Sequence, residues 1–323
     1  MTTYELTVGI DIGGTNTKIG LVDRAGVCLQ DSSITTDAHK PPDDLIGRLH
    51  VAIEELHGRV SGKPPIRGIG IGAPNANYYR GTVENPPNLS WKGVTDVAGL
   101  MRTRMDVPVA VTNDANAAAL GEGLFGSAKG MKDFMVITLG TGLGSGVVAA
   151  GDLVYGSTGF AGELGHCIVD VNGRECGCGR RGCLETYASA TGICRTVTHL
   201  LSMRRAGSGL RAVSQQDLTA KMIADAAAAG DPIAREAFEF TGGILGLTLA
   251  NAAAITSPEA IFLFGGLANA GALIFEPTRK ALDQHLLNIF HGTVKLLPSG
   301  LKEAGAAVLG ASALIWKELE KRG

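Results

Sequence analysis

The sequence predicts an α/β protein of two domains. Three observations predict it. Strand patterns alternate with helix-spaced apolar residues along 323 residues, a length that can bury two cores of ordinary size. Two strand–glycine turn–strand units, running from Val8 to Thr15 and from Val136 to Gly142, stand about 125 residues apart like halves of an old duplication. A loop in the second half, residues 166–183, carries a histidine and three cysteines at metal-ligand spacing.

Tyr4–Asp11, Thr17–Val22 and Val27–Ile34 read as strands, with Gly13-Gly14-Thr15 turning the first into the second. Leu45, Leu49, Ile53 and Leu56 give Asp43–Val60 a helical stripe, punctuated at its start by Pro41 and Pro42. Ile66–Ile71 is a strand ending in Gly72-Ala73-Pro74, and Asn75–Trp91, with Pro86 and Pro87, reads as loop. Val94–Met105 is a helix, Val107–Thr112 a buried strand and Ala115–Phe125 an alanine-rich helix. Phe134–Leu139 is an apolar strand, Gly140–Gly146 a glycine-rich turn and Val147–Ala150 the strand leaving it. Helices follow at Leu184–Leu201, Met222–Ala229 and Pro232–Ala254, with an exposed turn at Met203–Gly209. The strand Ala260–Phe264 runs into Gly265-Gly266, and Glu303–Glu320 is an amphipathic helix ending in a charged tail.

The glycine turns carry the first chemical signal. Consecutive glycines let backbone N–H groups approach an anion, Thr15 adds a hydroxyl, and Asp11 at the strand end could orient a hydrated Mg²⁺. An ordinary hairpin turn has the same composition. The chain has neither the Gly-Lys-Ser/Thr of a P-loop nor Gly-x-Gly-x-x-Gly before a helix. Asn113-Asp114, between a strand and a helix, suits a helix cap as well as it suits chemistry.

The second signal is the spacing of His166, Cys176, Cys178 and Cys183. Three thiolates and an imidazole suit a closed, tetrahedral, structural zinc, and Gly177, Gly179 and Gly182 let the chain turn tightly around it. A pair of disulfides is the alternative, disfavoured because no secretory segment precedes the chain. Cys28, Cys167 and Cys194 lie outside this spacing and read as buried small hydrophobes.

A net charge of −2 and a pI near 6.4 give no reason to expect nucleic acid as a partner. No uncharged apolar run approaches the length of a membrane span, and Met-Thr-Thr-Tyr-Glu-Leu has no signal character. A cytoplasmic protein bound to no membrane is expected.

Two glycine loops facing each other across a cleft, with a third glycine turn at Gly265-Gly266, resemble the actin-like (ribonuclease H-like) ATPase fold. Gly-Glu-Leu-Gly-His at 162–166, the cysteine run at 176–185 and Asn-Asp-Ala-Asn-Ala-Ala-Ala-Leu-Gly-Glu at 113–122 closely resemble the ROK family of sugar kinases and related repressors. The resemblance covers essentially the whole chain. It implies ATP and Mg²⁺ on Asp11, Gly13, Gly14, Thr15, Gly140, Thr141, Gly142, Gly144, Gly265 and Gly266. It implies a hexose on Asn88, Asn113, Asp114, Glu163, His166 and Glu185, with Asp114 as the base that accepts the hydroxyl proton. His166 would serve both zinc and sugar. The reaction implied is phosphoryl transfer to a sugar hydroxyl, the 6-OH of glucose first, by a homodimer or larger homo-oligomer. The resemblance implies too that the last helix returns to pack on the N-terminal domain, giving one domain of residues 1–112 with 304–323 and another of residues 113–303.

One departure is Asn75, where many family members carry a glycine that lies against the sugar; it bears on the choice among glucose, mannose, N-acetylated hexosamines and fructose. The ROK repressors carry a helix-turn-helix domain before the first phosphate loop, for which a loop at Asp11 leaves no room. A non-kinase actin-type ATPase would explain the glycine loops but not the zinc constellation, Glu163 or Glu185.

Overall fold

The computed structural model describes residues 4–301 and 303–322. The ends of the expected first domain, 1–3 and 323, lie outside the described residues. In chain order its sheet strands include β1 (Leu6–Ile12), β2 (Asn16–Asp23), β3 (Cys28–Thr35), β4 (Ile66–Gly72), β5 (Ala76–Asn77), β6 (Thr82–Glu84), β7 (Val94–Thr95), β8 (Val109–Thr112), β9 (Phe134–Leu139), β10 (Leu143–Ala149), β11 (Ala260–Phe264) and β12 (Lys295–Pro298). The helices are α1 (Pro42–Arg59), α2 (Val97–Arg102), α3 (Asp114–Phe125), α4 (Ala190–Met203), α5 (Ala220–Ala228), α6 (Pro232–Thr256), α7 (Ala272–His285) and α8 (Glu303–Arg322). The chain divides into two compact units, residues 1–131, 152–162 and 299–323 in one, 132–151 and 163–298 in the other. Helix α3, expected at the head of the second domain, groups with the first unit because it packs along α8.

In the first unit the strand order is β3-β2-β1-β4-β8, with β1, β4 and β8 parallel and β1 to β3 an antiparallel meander. The period of two sorts β1 into two faces. Leu6, Val8, Ile10 and Ile12 join Leu45, Leu49 and Ile53 of α1 in one core. Thr7 and Gly9 face α8 instead: Thr7 Oγ1 lies 2.8 Å from Ser312 Oγ, and a Cβ on Gly9 would lie 2.0 Å from the Val308 carbonyl oxygen. Gly70 on β4 does the same, 1.8 Å from the Ala311 carbonyl oxygen. The strand glycines therefore form a groove in which a helix backbone rests directly on a sheet. Adding a methyl group there must displace α8, so Gly70→Ala is expected to lower unfolding stability by about 1–3 kcal/mol. Equilibrium denaturation of the purified variant checks this; unchanged stability would show that α8 is not seated in the groove.

Helix α8 is not amphipathic over its middle: residues 310–316 are all buried, between the sheet on one side and α3 on the other. At the α3 crossing, a Cβ on Gly121 would lie 2.9 Å from Gly310 Cα. The charged tail is exposed only from Glu320. Glu318 accepts a 2.6 Å hydrogen bond from the Tyr78 hydroxyl. The stretch read as loop after Asn75 holds a small antiparallel sheet, β5-β6-β7, whose strands of two or three residues are too short to show a period. Val94 and Thr95 belong to it, which shortens the expected helix to α2.

In the second unit β9, β11 and β12 run parallel and β10 pairs antiparallel with β9. Gly144 and Gly146 stand opposite Thr138 and Val136 in that ladder. The expected turn Gly140–Gly146 is therefore a short turn, Gly140–Gly142, followed by strand. Met135, Ile137 and Leu139 of β9 pack with Ile193, Leu245, Leu249 and Ile261 in the core. Helix α6 corrects the reading of apolar runs: it is long and apolar enough to cross a membrane by composition, yet 56% of its most apolar window is buried within the protein. Gly242 and Gly246 let α6 meet α7 closely, a Cβ on Gly246 falling 2.3 Å from the Thr278 carbonyl oxygen. Neither α7, which contains Pro277, nor β12 was legible in the sequence.

Candidate active site

The first unit gathers its polar residues at the carboxyl ends of its parallel strands, where ligands of open α/β sheets bind. Asp11 stands near the end of β1 beside Gly72 of β4, and Thr112 ends β8. The turn after β1 is held by backbone: Gly13 N–H donates to the Asn16 carbonyl at 3.1 Å, and the Thr36 hydroxyl donates to the Gly13 carbonyl at 2.7 Å. Gly14 cannot carry a side chain without crowding Asn88, since its Cβ would lie 3.0 Å from both Asn88 Cβ and the Asn88 carbonyl oxygen. Asn88 is thus brought against the phosphate-type turn.

Asn113 takes the capping role that the sequence left open, and Asp114 does not. Asn113 is the N-cap of α3, its Oδ1 accepting from Asn116 N–H at 2.7 Å. Its amide nitrogen is the part left to meet a ligand. Asp114 is the first helical residue, and its Oδ1 accepts from Ala115 N–H at 2.9 Å. Its surface is open to solvent, yet the protein around it raises its pKa through loss of hydration, opposed by backbone N–H bonds from Ala115 and its own residue. Asp11 is pushed up to about 6 by burial first and by the Asp114 charge second, with Lys18 across the hairpin pulling the other way. Two carboxylates that repel each other at strand ends suit a proton acceptor beside a divalent cation.

Other residues of the 113–122 motif are structural. Glu122 is fully buried and accepts from Ser127 N–H at 2.7 Å, Gly300 N–H at 2.9 Å and the Ser299 hydroxyl, tying together the chain on either side of α3 and α8. Asn75 sits at φ +52°, a left-handed conformation that suits glycine and, among other residues, asparagine best. Its amide donates to the Asn85 carbonyl at 3.1 Å. It therefore keeps the backbone shape of the expected glycine and spends its side chain on the loop.

In the second unit the turns Gly140–Gly142 and Gly265-Gly266 follow neighbouring parallel strands, β9 and β11. A Cβ on Gly140 or Gly266 would meet nothing within 4 Å, whereas Gly265, at φ +102°, packs on the Leu139 carbonyl. The start of α4 pins the first turn: Ala190 N–H donates to the Gly140 carbonyl at 2.9 Å and the Thr191 hydroxyl to the Thr141 carbonyl at 2.8 Å. Beside Thr141 opens a cavity of about 360 Å³, lined by Thr191, Cys194, Thr198, Gln215 and Leu218 among others. Gly144, expected among the phosphate contacts, lies within strand β10, where its N–H donates to Thr138 Oγ1 at 3.2 Å.

The ligand atoms of His166, Cys176, Cys178 and Cys183 lie within 4.8 Å of one another. Cys178 Sγ and Cys183 Sγ are 3.6 Å apart, and Cys176 Sγ is 3.7 Å from His166 Nδ1. A tetrahedral ion with metal–sulfur bonds near 2.3 Å and metal–nitrogen bonds near 2.0 Å requires separations of about 3.5–3.8 Å. The donor set and its spacing fit such an ion, with Nδ1 as the histidine ligand. Burial pushes the Cys176 and Cys183 thiols up, whereas Cys178, despite the same effect, is lowered to about 6 by hydrogen bonds from Arg180 and its neighbouring thiols. Glu185 lies behind the cluster, Oε1 3.1 Å from Cys176 Sγ and Oε2 3.5 Å from Leu143 N–H of the glycine turn. Glu163 is exposed and heads the short 3₁₀ turn that carries His166. The remaining cysteines are not buried small hydrophobes: Cys28 and Cys167 are exposed and Cys194 is half-buried.

Strand order, glycine turns at strand ends and the strand-end carboxylates define the actin-like, ribonuclease H-like α/β kinase fold. The chain matches the ROK family over residues 7–318, and it belongs to that family. It is 36% identical to a glucokinase of Thermotoga maritima over 313 residues, 95% of this chain and 96% of that protein. A ROK glucokinase of Streptomyces griseus, solved in complex with glucose and AMPPNP, superposes with a TM-score of 0.79 at 32% identity, covering 98% of this chain and all of that one. A ROK transcriptional regulator homologous to the E. coli MLC protein superposes with a TM-score of 0.86 at 30% identity; the match spans 98% of this chain and 78% of the regulator. The shared core thus serves both kinases and regulators, and the kinases are the relatives matched over nearly their full length.

Proposed function

We propose that this chain is an ATP-dependent hexose kinase that phosphorylates the 6-OH of glucose. The observation that carries it is the end-to-end likeness to glucokinases together with Asp114, solvent-accessible and raised in pKa beside Asp11. In the reaction the sugar hydroxyl oxygen bonds to the γ-phosphorus, the bond from that phosphorus to the β,γ-bridging oxygen breaks, and ADP leaves. Asp114 takes the hydroxyl proton as the new bond forms. Asn88, Asn113, Glu163, His166 and Glu185 are the residues assigned to hydrogen-bond the other sugar hydroxyls. Their assignment rests on the family motif. The Gly13–Thr15, Gly140–Gly142 and Gly265-Gly266 turns hold the nucleotide, whose adenosine suits the cavity beside Thr141.

Asp11 would hold a Mg²⁺, which when bound neutralises polyphosphate charge. The His166–Cys176–Cys178–Cys183 cluster would hold a structural Zn²⁺, closed to substrate by its four protein ligands. A cytoplasmic homo-oligomer that binds neither nucleic acid nor membrane completes the reading. The test is sugar-phosphate formation measured across glucose, mannose, N-acetylmannosamine, N-acetylglucosamine and fructose, with ATP or polyphosphate as the donor. Absence of turnover with any sugar, alongside sugar-dependent binding to DNA, would favour the regulator instead.

Two further results are expected. Asn75→Gly preserves the left-handed backbone and removes only the bond to Asn85, so kcat/KM should change by a similar factor for every sugar. A changed ratio between glucose and mannose would place the Asn75 side chain on the substrate. Asp11→Asn removes a carboxylate whose folded pKa lies above its unfolded value of 3.8. The stabilising effect of its protonation is complete below that value and lost as pH rises through about 6. The variant should therefore melt higher than wild type at pH 8 and equally near pH 3.5, while losing Mg²⁺-dependent turnover. Equal melting temperatures at pH 8 would mean that Asp11 is not strained by its surroundings.

A further inference from the structure

Arg174 lies two residues before Cys176, the first cysteine of the metal cluster. Its Nη1 donates to the Thr186 carbonyl at 2.8 Å and to the Gly192 carbonyl at 3.1 Å, and its Nη2 donates to Thr196 Oγ1 at 3.0 Å. Its guanidinium lies 4.4 Å over the Tyr187 ring, and the Tyr187 hydroxyl accepts from Arg174 N–H at 3.1 Å. Gly173 makes room for this stack, since a Cβ there would fall 2.1 Å from the Tyr187 hydroxyl. Each acceptor named above is a neutral oxygen. A cation set beside the positive end of α4, bonded to three neutral oxygens, costs desolvation that these bonds must offset. The arrangement is worth that cost if the geometry it fixes matters.

What it fixes is the join between the metal loop and the nucleotide turn. Thr186 ends the segment that follows the last cysteine, and Gly192 and Thr196 are on the first turns of α4. The same first turn of α4 grips the Gly140 and Thr141 carbonyls through Ala190 and Thr191. We infer that Arg174 is a positioning residue that locks the metal loop to α4 and, through α4, holds the Gly140–Gly142 turn in its phosphate-binding shape. The inference rests on the reading of that turn as a nucleotide site. The planar, forked guanidinium is what reaches three oxygens while stacking on a ring, and a lysine cannot reproduce it.

The experiment compares wild type with Arg174→Ala, Arg174→Lys, Thr196→Val and Gly140→Asp, measuring AMPPNP and glucose affinity by calorimetry and zinc release to a chelator. Gly140→Asp sets a negative charge where phosphate is expected and leaves Arg174 untouched. The expected result is that Gly140→Asp abolishes AMPPNP binding. Arg174→Ala should weaken AMPPNP about tenfold or more and release zinc faster, with Arg174→Lys failing to rescue either. Thr196→Val, which removes one acceptor and keeps the fold, should show the same changes at smaller size even if Arg174→Ala does not fold. Arg174 or Thr196 variants with lower melting temperature but wild-type AMPPNP affinity would overturn the inference and leave the nucleotide reading standing. Wild-type AMPPNP affinity in Gly140→Asp would overturn both.

Discussion

Asp114→Asn is expected to lower kcat by about 10²–10⁴ while leaving fold and glucose affinity intact. The amide keeps an oxygen to accept the Ala115 N–H, so the first turn of α3 has what it needs. It cannot take a proton from an attacking hydroxyl. The helix cap is Asn113, so the loss cannot be ascribed to uncapping. The pH dependence supplies a second readout. Asp114 has its pKa raised, so wild-type activity should fall on acidification above the usual carboxylate range. Raised carboxylate pKa values favour the folded state as pH falls. Activity lost while the melting temperature holds or rises therefore marks proton uptake by the base and not unfolding. A purified Asp114→Asn enzyme with wild-type kcat would return Asp114 to a purely structural role.

The second large effect is expected from Cys178→Ala. Removing one of four ligands should release the metal, and structural zinc can contribute about 10–16 kcal/mol of binding free energy to folding. The melting temperature should fall, and with it the order of the loop bearing Glu163, His166 and Glu185. Sugar KM should rise and kcat fall, because such side chains must be held to within about 0.5 Å of productive geometry. Nucleotide affinity should change less than sugar affinity, because the Gly140–Gly142 turn retains its direct bonds to α4. Metal analysis with separate calorimetry for glucose and AMPPNP decides it. Wild-type enzyme without stoichiometric zinc, or a variant that binds glucose normally, would sink the proposal that this loop builds the sugar site.

The outline of both units was legible because α1 carries a helical stripe, β1, β4, β8 and β9 are apolar runs bounded by turn residues, and α3 is rich in alanine. The strands of 76–95 were not, since two or three residues carry no period. The glycines were only half legible. Gly13, Gly14 and Gly265 mark turns, but Gly9 and Gly70 are glycines because of a helix more than two hundred residues later in the chain. The site shows the same split. Motif spacing points to the cysteines and Asp114, whereas Arg174 has no local pattern, and its partners at 186, 192 and 196 become visible only as distances. Asn113 was ambiguous for a physical reason: the oxygen that caps a helix and the amide that meets a ligand belong to one side chain.

The glycine groove also dictates an order of events during synthesis. Every residue of the second unit, 132–151 and 163–298, leaves the ribosome before α8 does. The first unit, although it begins at the N-terminus, waits for residues 299–323 to fill the bare face of β1 and β4. Nascent chains arrested before α8 should therefore resist proteolysis in the second unit while the first is still cut.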